Sequence, residues 1–172
     1  ATGLKLARPE LKVLVIMGDG DALAIGGNHF IHAARRNMDL TAIVVNNNIY
    51  GMTGGQLSPT TPLGAKTTNA PFGNIEPPFD IAKLAEAAGA SFVARSTVYH
   101  AIQLDRLIAQ GLSREGLSVI EVLSICPLFY GELNDMGDAV DMLRWLRDNT
   151  AVYRGEPTPG KIARGVFVER DQ

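Results

Sequence analysis

Two short apolar runs constrain this chain more than anything else in it. Residues 12–17 read Lys-Val-Leu-Val-Ile-Met and residues 41–45 read Thr-Ala-Ile-Val-Val. Both are short and rich in β-branched residues, which suits strands buried on both faces of a parallel sheet. Each run stops in glycine or oxygen-bearing residues: Gly18-Asp19-Gly20-Asp21 after the first, Asn46-Asn47-Asn48 after the second. The spacing predicts a helix over 22–37, with Leu23, Phe30, Ile31 and Ala34 on its apolar side and Arg35-Arg36 at its negative end. A strand–helix–strand unit brings both strand ends to one edge of the sheet. A phosphate and a hard metal ion can be held together there.

The rest of the chain continues the alternation. After 46–78, where there is little periodicity and much Gly, Pro, Ser and Thr, a helix is expected over 81–88, with Asp80 as N-cap and Gly89 as its stop. A strand over 91–95, a helix over 98–114, a strand over 117–123, a helix over 138–149 and an edge strand over 165–169 follow. The sequence opens on residues 4–7, which read as the end of a helix. Strands alternating with helices predict an α/β fold with a mostly parallel sheet. With 172 residues the chain has room for a single domain, 1–172.

Charge and cysteine usage narrow the partners. Sixteen Lys and Arg oppose 18 Asp and Glu without a long basic run, which argues against nucleic acid. No apolar run approaches the roughly 20 residues of a membrane span, and the first residues lack a signal-peptide pattern. Cys126 is the only cysteine, so no internal disulfide can form, and a reducing compartment, the cytoplasm, is expected.

The chemistry concentrates on the paired strand ends. Glycines in the first turn let backbone N–H groups approach a phosphate, and the following helix start favours its charge. Asp19 offers a carboxylate to a divalent ion, and the Asn46-Asn47 amides add hard oxygens of the kind Mg²⁺ takes. A dinucleotide fingerprint fails, because its third glycine position holds Leu23 and no acidic residue ends the second strand. No Gly-x-x-x-x-Gly-Lys-Ser/Thr occurs. Gly26-Gly27 inside the predicted helix costs about 1 kcal/mol per residue relative to alanine and calls for a close approach. His29 and His32 share a helix face with no carboxylate at matching spacing, so they read as core or site-wall residues, His29 the better placed. Glu121, within an apolar strand, either pairs or stands half exposed. The run 106–114 reads as a solvated helix face, and Lys161 and Arg164 as surface charges.

Further motifs carry a resemblance. Gly18-Asp19-Gly20 followed after a crossover by Asn46-Asn47 looks like a thiamine diphosphate signature. Gly26-Gly27-Asn28-His29-Phe30, Tyr50-Gly51-Met52-Thr53-Gly54-Gly55-Gln56 with Ser58-Pro59-Thr60-Thr61-Pro62, and Ser124-Ile125-Cys126-Pro127 resemble the β subunit of 2-oxoacid:ferredoxin oxidoreductases, closest to the 2-oxoglutarate type. The resemblance runs nearly the whole length of the chain.

It implies a three-layer thiamine diphosphate-binding fold and oxidative decarboxylation of a 2-oxoacid, 2-oxoglutarate favoured, with CoA, to acyl-CoA, CO₂ and reduced ferredoxin. Asp19 and Asn47 side chains and the Ile49 carbonyl would bind Mg²⁺. Gly20 and Asp21 would face the diphosphate, Gly18 and Gly51 would also bind the cofactor, and Met52 and Thr53 would lie beside the thiazolium and substrate, with His29 as a further pocket candidate. Cys126 would be the fourth ligand of a [4Fe–4S] cluster, whose other cysteines this chain lacks; an N-terminal cluster-binding segment and a C-terminal tail are therefore expected outside it. The partners implied are an α subunit carrying the pyrimidine-binding domain and its activating glutamate, ferredoxin, the 2-oxoacid and CoA. The alternatives are a cluster-free thiamine diphosphate decarboxylase or synthase, and a non-catalytic cofactor-binding remnant.

Overall fold

A computed structural model describes residues 1–170. In chain order the elements are α1 (Thr2–Ala7), β1 (Leu14–Gly18), a π-helical turn (Asp21–Ile25), α2 (Gly27–Arg35), β2 (Thr41–Asn46), β3 (Ile49–Tyr50) and β4 (Gln56–Leu57). There follow α3 (Ile81–Ala88), β5 (Phe92–Thr97), α4 (Ala101–Ser113), β6 (Ser118–Leu123), a second π-helical turn (Pro127–Gly131), α5 (Ala139–Asn149), β7 (Thr150–Val152) and β8 (Ile162–Glu169).

The main sheet has six strands in the order β1-β2-β6-β5-β8-β7. β1, β2, β6 and β5 run parallel, whereas β8 pairs antiparallel with β5 across a bulge at Val93/Ala94. Register is direct: Gly18 stands opposite Val45, Val44 opposite Glu121, and Glu121 opposite Arg95. On one face α2 and α3 bury Phe30, Ala34, Ile81 and Ala85 against Val44, Val93 and Val119. On the other, α4 buries Leu107 against Ile43, Phe92 and Ile120. This is the expected three-layer α/β architecture with a mostly parallel sheet.

Several local expectations change. β1 is not buried on both faces but is the sheet's edge: Val15 and Met17 pack on the core, while Leu14 and Ile16 are exposed. Continuous hydrophobicity gives depth no direction, since a strand awaiting a neighbour reads the same as one that has it. The last strand is longer than predicted and interior, because β7, unforeseen at three residues, pairs outside it. Arg114 is not freely solvated; it pairs with Glu169 and lies 5.2 Å from the centre of the Phe92 ring. The Asp80 cap is as expected, its Oδ1 accepting from Ala82 N (3.1 Å) and Lys83 N (3.2 Å), and Gly89 ends α3 at φ 101°.

The helix predicted over 22–37 is interrupted. Gly26 N donates to Asp21 O at 2.8 Å, the i to i−5 bond of a π turn, and α2 starts afresh beyond it. A Cβ on Gly26 would overlap that carbonyl, whereas one on Gly27 would meet nothing. The glycine pair therefore answers to the chain's own backbone at the first position and to no contact at the second.

The two glycines should respond differently to alanine. Gly26→Ala should cost about 1–3 kcal/mol of stability, as overpacking does. Gly27→Ala should be neutral or stabilising by up to about 1 kcal/mol, the helix-propensity difference. Urea unfolding of both variants measures the contrast.

Candidate functional site at the carboxyl edge of the sheet

β1 and β2 end side by side, so Asp19 and Asn46–48 emerge at one edge. Asp19 is only 2% exposed. Its Oδ2 accepts from Ser58 Oγ at 2.5 Å and from the Thr60 hydroxyl. Burial pushes its carboxyl above the ordinary value of 3.8, against the lowering effect of those two hydroxyls and of the Asp19 and Gly20 backbone. Neither hydroxyl can neutralise the charge. Among the described residues no cation pairs with the carboxylate, as suits a ligand of a hard metal.

Beyond β2 the backbone turns twice on its own asparagines. Asn46 Oδ1 accepts from Asn48 N (3.1 Å), and Asn47 Oδ1 accepts from Ile49 N (3.2 Å). Asn48 adopts φ 63°, a left-handed conformation that Asn tolerates better than most residues, and its carbonyl accepts from Thr61 Oγ1 at 2.7 Å. These bonds fix the segment carrying the Asn47 amide and the Ile49 carbonyl. The Asn47 oxygen retains a second lone pair for another partner.

Tyr50 links the two strand ends. A Cβ on Gly20 would overlap its ring, so only glycine lets the ring lie there. The phenol is held above its ordinary value of 10.0 by burial and then by the fields of Asp19 and Asp21. Asp21 folds back, its Oδ2 accepting from Gly18 N at 3.0 Å. Gly51 sits where a Cβ would stand 3.3 Å from Cys126 Sγ and 3.7 Å from Asn47 Nδ2. The lone thiol thus abuts the segment that carries the candidate metal oxygens.

Other candidates lie further out. Met52 is fully exposed, and the Thr53 hydroxyl donates to Gln56 Oε1 at 2.6 Å in the β3–β4 turn. His29 is exposed and opens on a cavity of about 380 Å³ lined by Val15, Met17, Asp21 and Phe30, on the α2 side of β1. A larger cavity, about 560 Å³, opens at the ends of β2 and β6 and reaches Asn46, Glu121, Ser124 and Trp145.

Composition hid the order of the segment over 58–79, which shows no periodicity. It is knit by hydrogen bonds: Asn74 Nδ2 donates to Thr61 O (2.7 Å) and Glu76 O (2.8 Å), Gly64 N donates to Asn74 O (2.7 Å), and Phe79 N donates to Pro59 O (2.8 Å). This loop delivers Ser58 and Thr60 to Asp19. Their role was not read from the sequence, although the Ser-Pro-Thr-Thr-Pro run was the available signal.

Among the described residues no three His, Cys, Asp or Glu gather as a metal site. One buried carboxylate with amide and carbonyl oxygens nonetheless fits Mg²⁺, which takes few protein ligands and completes its shell with phosphate and water. A [4Fe–4S] cluster does not fit the chain's own residues, since one cysteine cannot supply four thiolates.

Residues 1–122 match the family described as thiamine pyrophosphate enzyme, C-terminal TPP binding domain, and the chain belongs to that family. It is 52% identical over 175 residues to the 2-oxoglutarate synthase subunit KorB of Methanocaldococcus jannaschii, covering 98% of this chain and 65% of that protein. It is 58% identical over 149 residues to the subunit of the same name from Archaeoglobus fulgidus, covering 87% and 54%. The chain thus spans less than two thirds of the length of these relatives. The 2-oxoglutarate:ferredoxin oxidoreductase from Magnetococcus marinus, solved with 2-oxoglutarate, coenzyme A and succinyl-CoA bound, superposes with a TM-score of 0.89 at 29% identity, over 100% of this chain and 61% of that one.

The raised carboxyl of Asp19 gives a pH signature. Its folded value exceeds its unfolded one, so its contribution to stability is full below the unfolded value and is lost as pH rises through the folded value. Asp19→Asn should therefore melt at a higher temperature than the parent at neutral pH without ligand. The gap should close as pH falls below about 4, the ordinary carboxylate range. Thermal unfolding across pH checks this.

Proposed function

We propose that this chain is the diphosphate- and metal-binding part of the β subunit of a thiamine diphosphate-dependent 2-oxoacid:ferredoxin oxidoreductase, with 2-oxoglutarate as substrate. The observation that carries the proposal beyond the family is the seat of Cys126 against Gly51, in the segment that follows Asn47. A thiol beside the proposed cofactor segment supports a cluster-ligand role, which a cluster-free decarboxylase does not need. The similarity to subunits named for 2-oxoglutarate supports the substrate.

Bound thiamine diphosphate supplies the carbanion chemistry that removes CO₂ from a 2-oxoacid. The chain's own residues bind and orient. Asp19, Asn47 and the Ile49 carbonyl would hold Mg²⁺; Gly20 and Asp21 would face the diphosphate, with Gly18 and Gly51 also at the cofactor; Met52 and Thr53 would stand beside the thiazolium and substrate. Ser58 and Thr60 keep the Asp19 carboxylate aimed. Cys126 provides one thiolate to a [4Fe–4S] cluster completed by residues outside this sequence, which we assign to an N-terminal segment. An α subunit supplies the other half of the cofactor site, ferredoxin takes the electrons and CoA the acyl group. Position 54, a glycine, leaves recognition of the distal carboxylate to that partner. The cytoplasm, where thiols stay reduced, suits such a site. Among the described residues no helix is long and apolar enough to cross a membrane.

In the full-length protein assembled with its partner, calorimetry should show thiamine diphosphate binding that requires Mg²⁺ and is lost in Asp19→Ala. Cys126→Ser should keep that binding while lowering iron content and 2-oxoglutarate-dependent ferredoxin reduction at least 10-fold. No cofactor binding by the parent, or an Asp19→Ala indistinguishable from it, would overturn the proposal; preference for pyruvate would overturn the substrate.

A further inference from the structure

The buried charges at the carboxyl edge form one chain of contacts. Glu121, 2% exposed in the centre of the sheet, accepts from Asn46 Nδ2 at Oε1 (2.8 Å) and from Arg95 Nε at Oε2 (2.7 Å). Arg95, 7% exposed, donates further to Asp80 Oδ1 (2.6 Å) and to Ala163 O (3.3 Å). Burial works against the guanidinium charge, and Glu121 and Asp80 more than offset it, holding Arg95 above its ordinary value. A buried ion pair of this kind adds little net stability compared with apolar residues of the same shape. Its place at the wall of the larger cavity, next to the Asn46–48 turn, is the informative part.

Asn46 uses both ends of its amide. The nitrogen donates to Glu121, and the oxygen accepts from Asn48 N. Reversing the amide would set its oxygen against the carboxylate and its nitrogen against an N–H, so the amide has one orientation. Glu121 thereby fixes the side chain that holds Asn48 in its left-handed turn, and the turn fixes where the Asn47 amide and the Ile49 carbonyl point. Ser124 N, donating to Asn46 O at 2.8 Å, anchors the same residue from the other side.

We propose that Asn46 and Glu121 are positioning residues for the divalent ion, with Arg95 as the partner that holds the Glu121 carboxylate in place in the sheet interior. They touch neither ion nor cofactor; they set the angle between two of the ion's oxygen donors. Mg²⁺ demands near-ideal octahedral geometry and Ca²⁺ does not, so this pair also sets the preference between the two. The inference rests on the metal site proposed above.

The test uses the full-length protein with its partner subunit. Mg²⁺ and Ca²⁺ are titrated separately at saturating thiamine diphosphate by calorimetry, and metal-free thermal unfolding is measured alongside. Asn46→Ala leaves Glu121 paired with Arg95 and so keeps the fold; Glu121→Gln is the second variant. Both should weaken Mg²⁺ roughly 10- to 100-fold, as loss of outer-shell support does, and should lower the ratio of Mg²⁺ to Ca²⁺ affinity. Asp138→Ala, which uncaps α5, serves as a destabilised control and should leave affinity and ratio within about twofold of the parent. The inference falls if Asn46→Ala lowers the melting temperature without moving Mg²⁺ affinity or the ratio, or if Asp138→Ala moves them equally. A parent that binds thiamine diphosphate without any metal requirement overturns the metal site itself, a result the variants are not needed to read.

Discussion

Parallel pairing of β1, β2, β6 and β5 is the constraint on which the rest depends. Parallel strands bring their carboxyl ends to one edge, and the direct register here leaves no offset between neighbours. Gly18, Asn46, Leu123 and Thr97 therefore close their strands along a single rim. Everything chemically notable hangs from that rim: the Asp19 carboxylate, the asparagine turns and, just past β6, Cys126. The helices matter to the site chiefly because they bury the two faces and so hold the register.

The polar groups at this edge are satisfied unevenly. Arg95, Glu121, Asp80 and Asn46 pair among themselves. Asp19 has hydroxyl and backbone donors and a raised carboxyl but, among the described residues, no cation. A fold selected for stability alone would not leave a buried acid in that state. The contrast separates the side chains that hold the site from the one suited to hold a ligand.

Much of this was legible in the sequence, for identifiable reasons. β-branched runs and 3.6-residue spacing marked β1, β2, β6, α3 and α5, and Asp80 and Gly89 bounded α3 because capping is local chemistry. The pairing of Gly18-Asp19-Gly20 with Asn46-Asn47 followed from one crossover. Contacts across long separations were not legible. Nothing local tells that Ser58 and Thr60 return to Asp19, or that Glu121 faces Arg95, and apolarity alone could not say that β1 is an edge with Leu14 and Ile16 bare. The 58–79 loop is ordered by irregular backbone–backbone and side chain to backbone bonds, which have no period to detect.

The π turn ahead of α2 acts as a phase lock. Each residue of an α-helix turns the chain by about 100°, so the one-residue excess between Asp21 and Gly26 decides which side of α2 meets the sheet. With it, Phe30 and Ala34 point inward and His29 and His32 outward. Removing a residue there would leave the composition almost unchanged yet rotate the apolar stripe off its core. What this segment preserves is its length, and that fixes the distance along the chain between the Asp19 carboxylate and the first helix that anchors it.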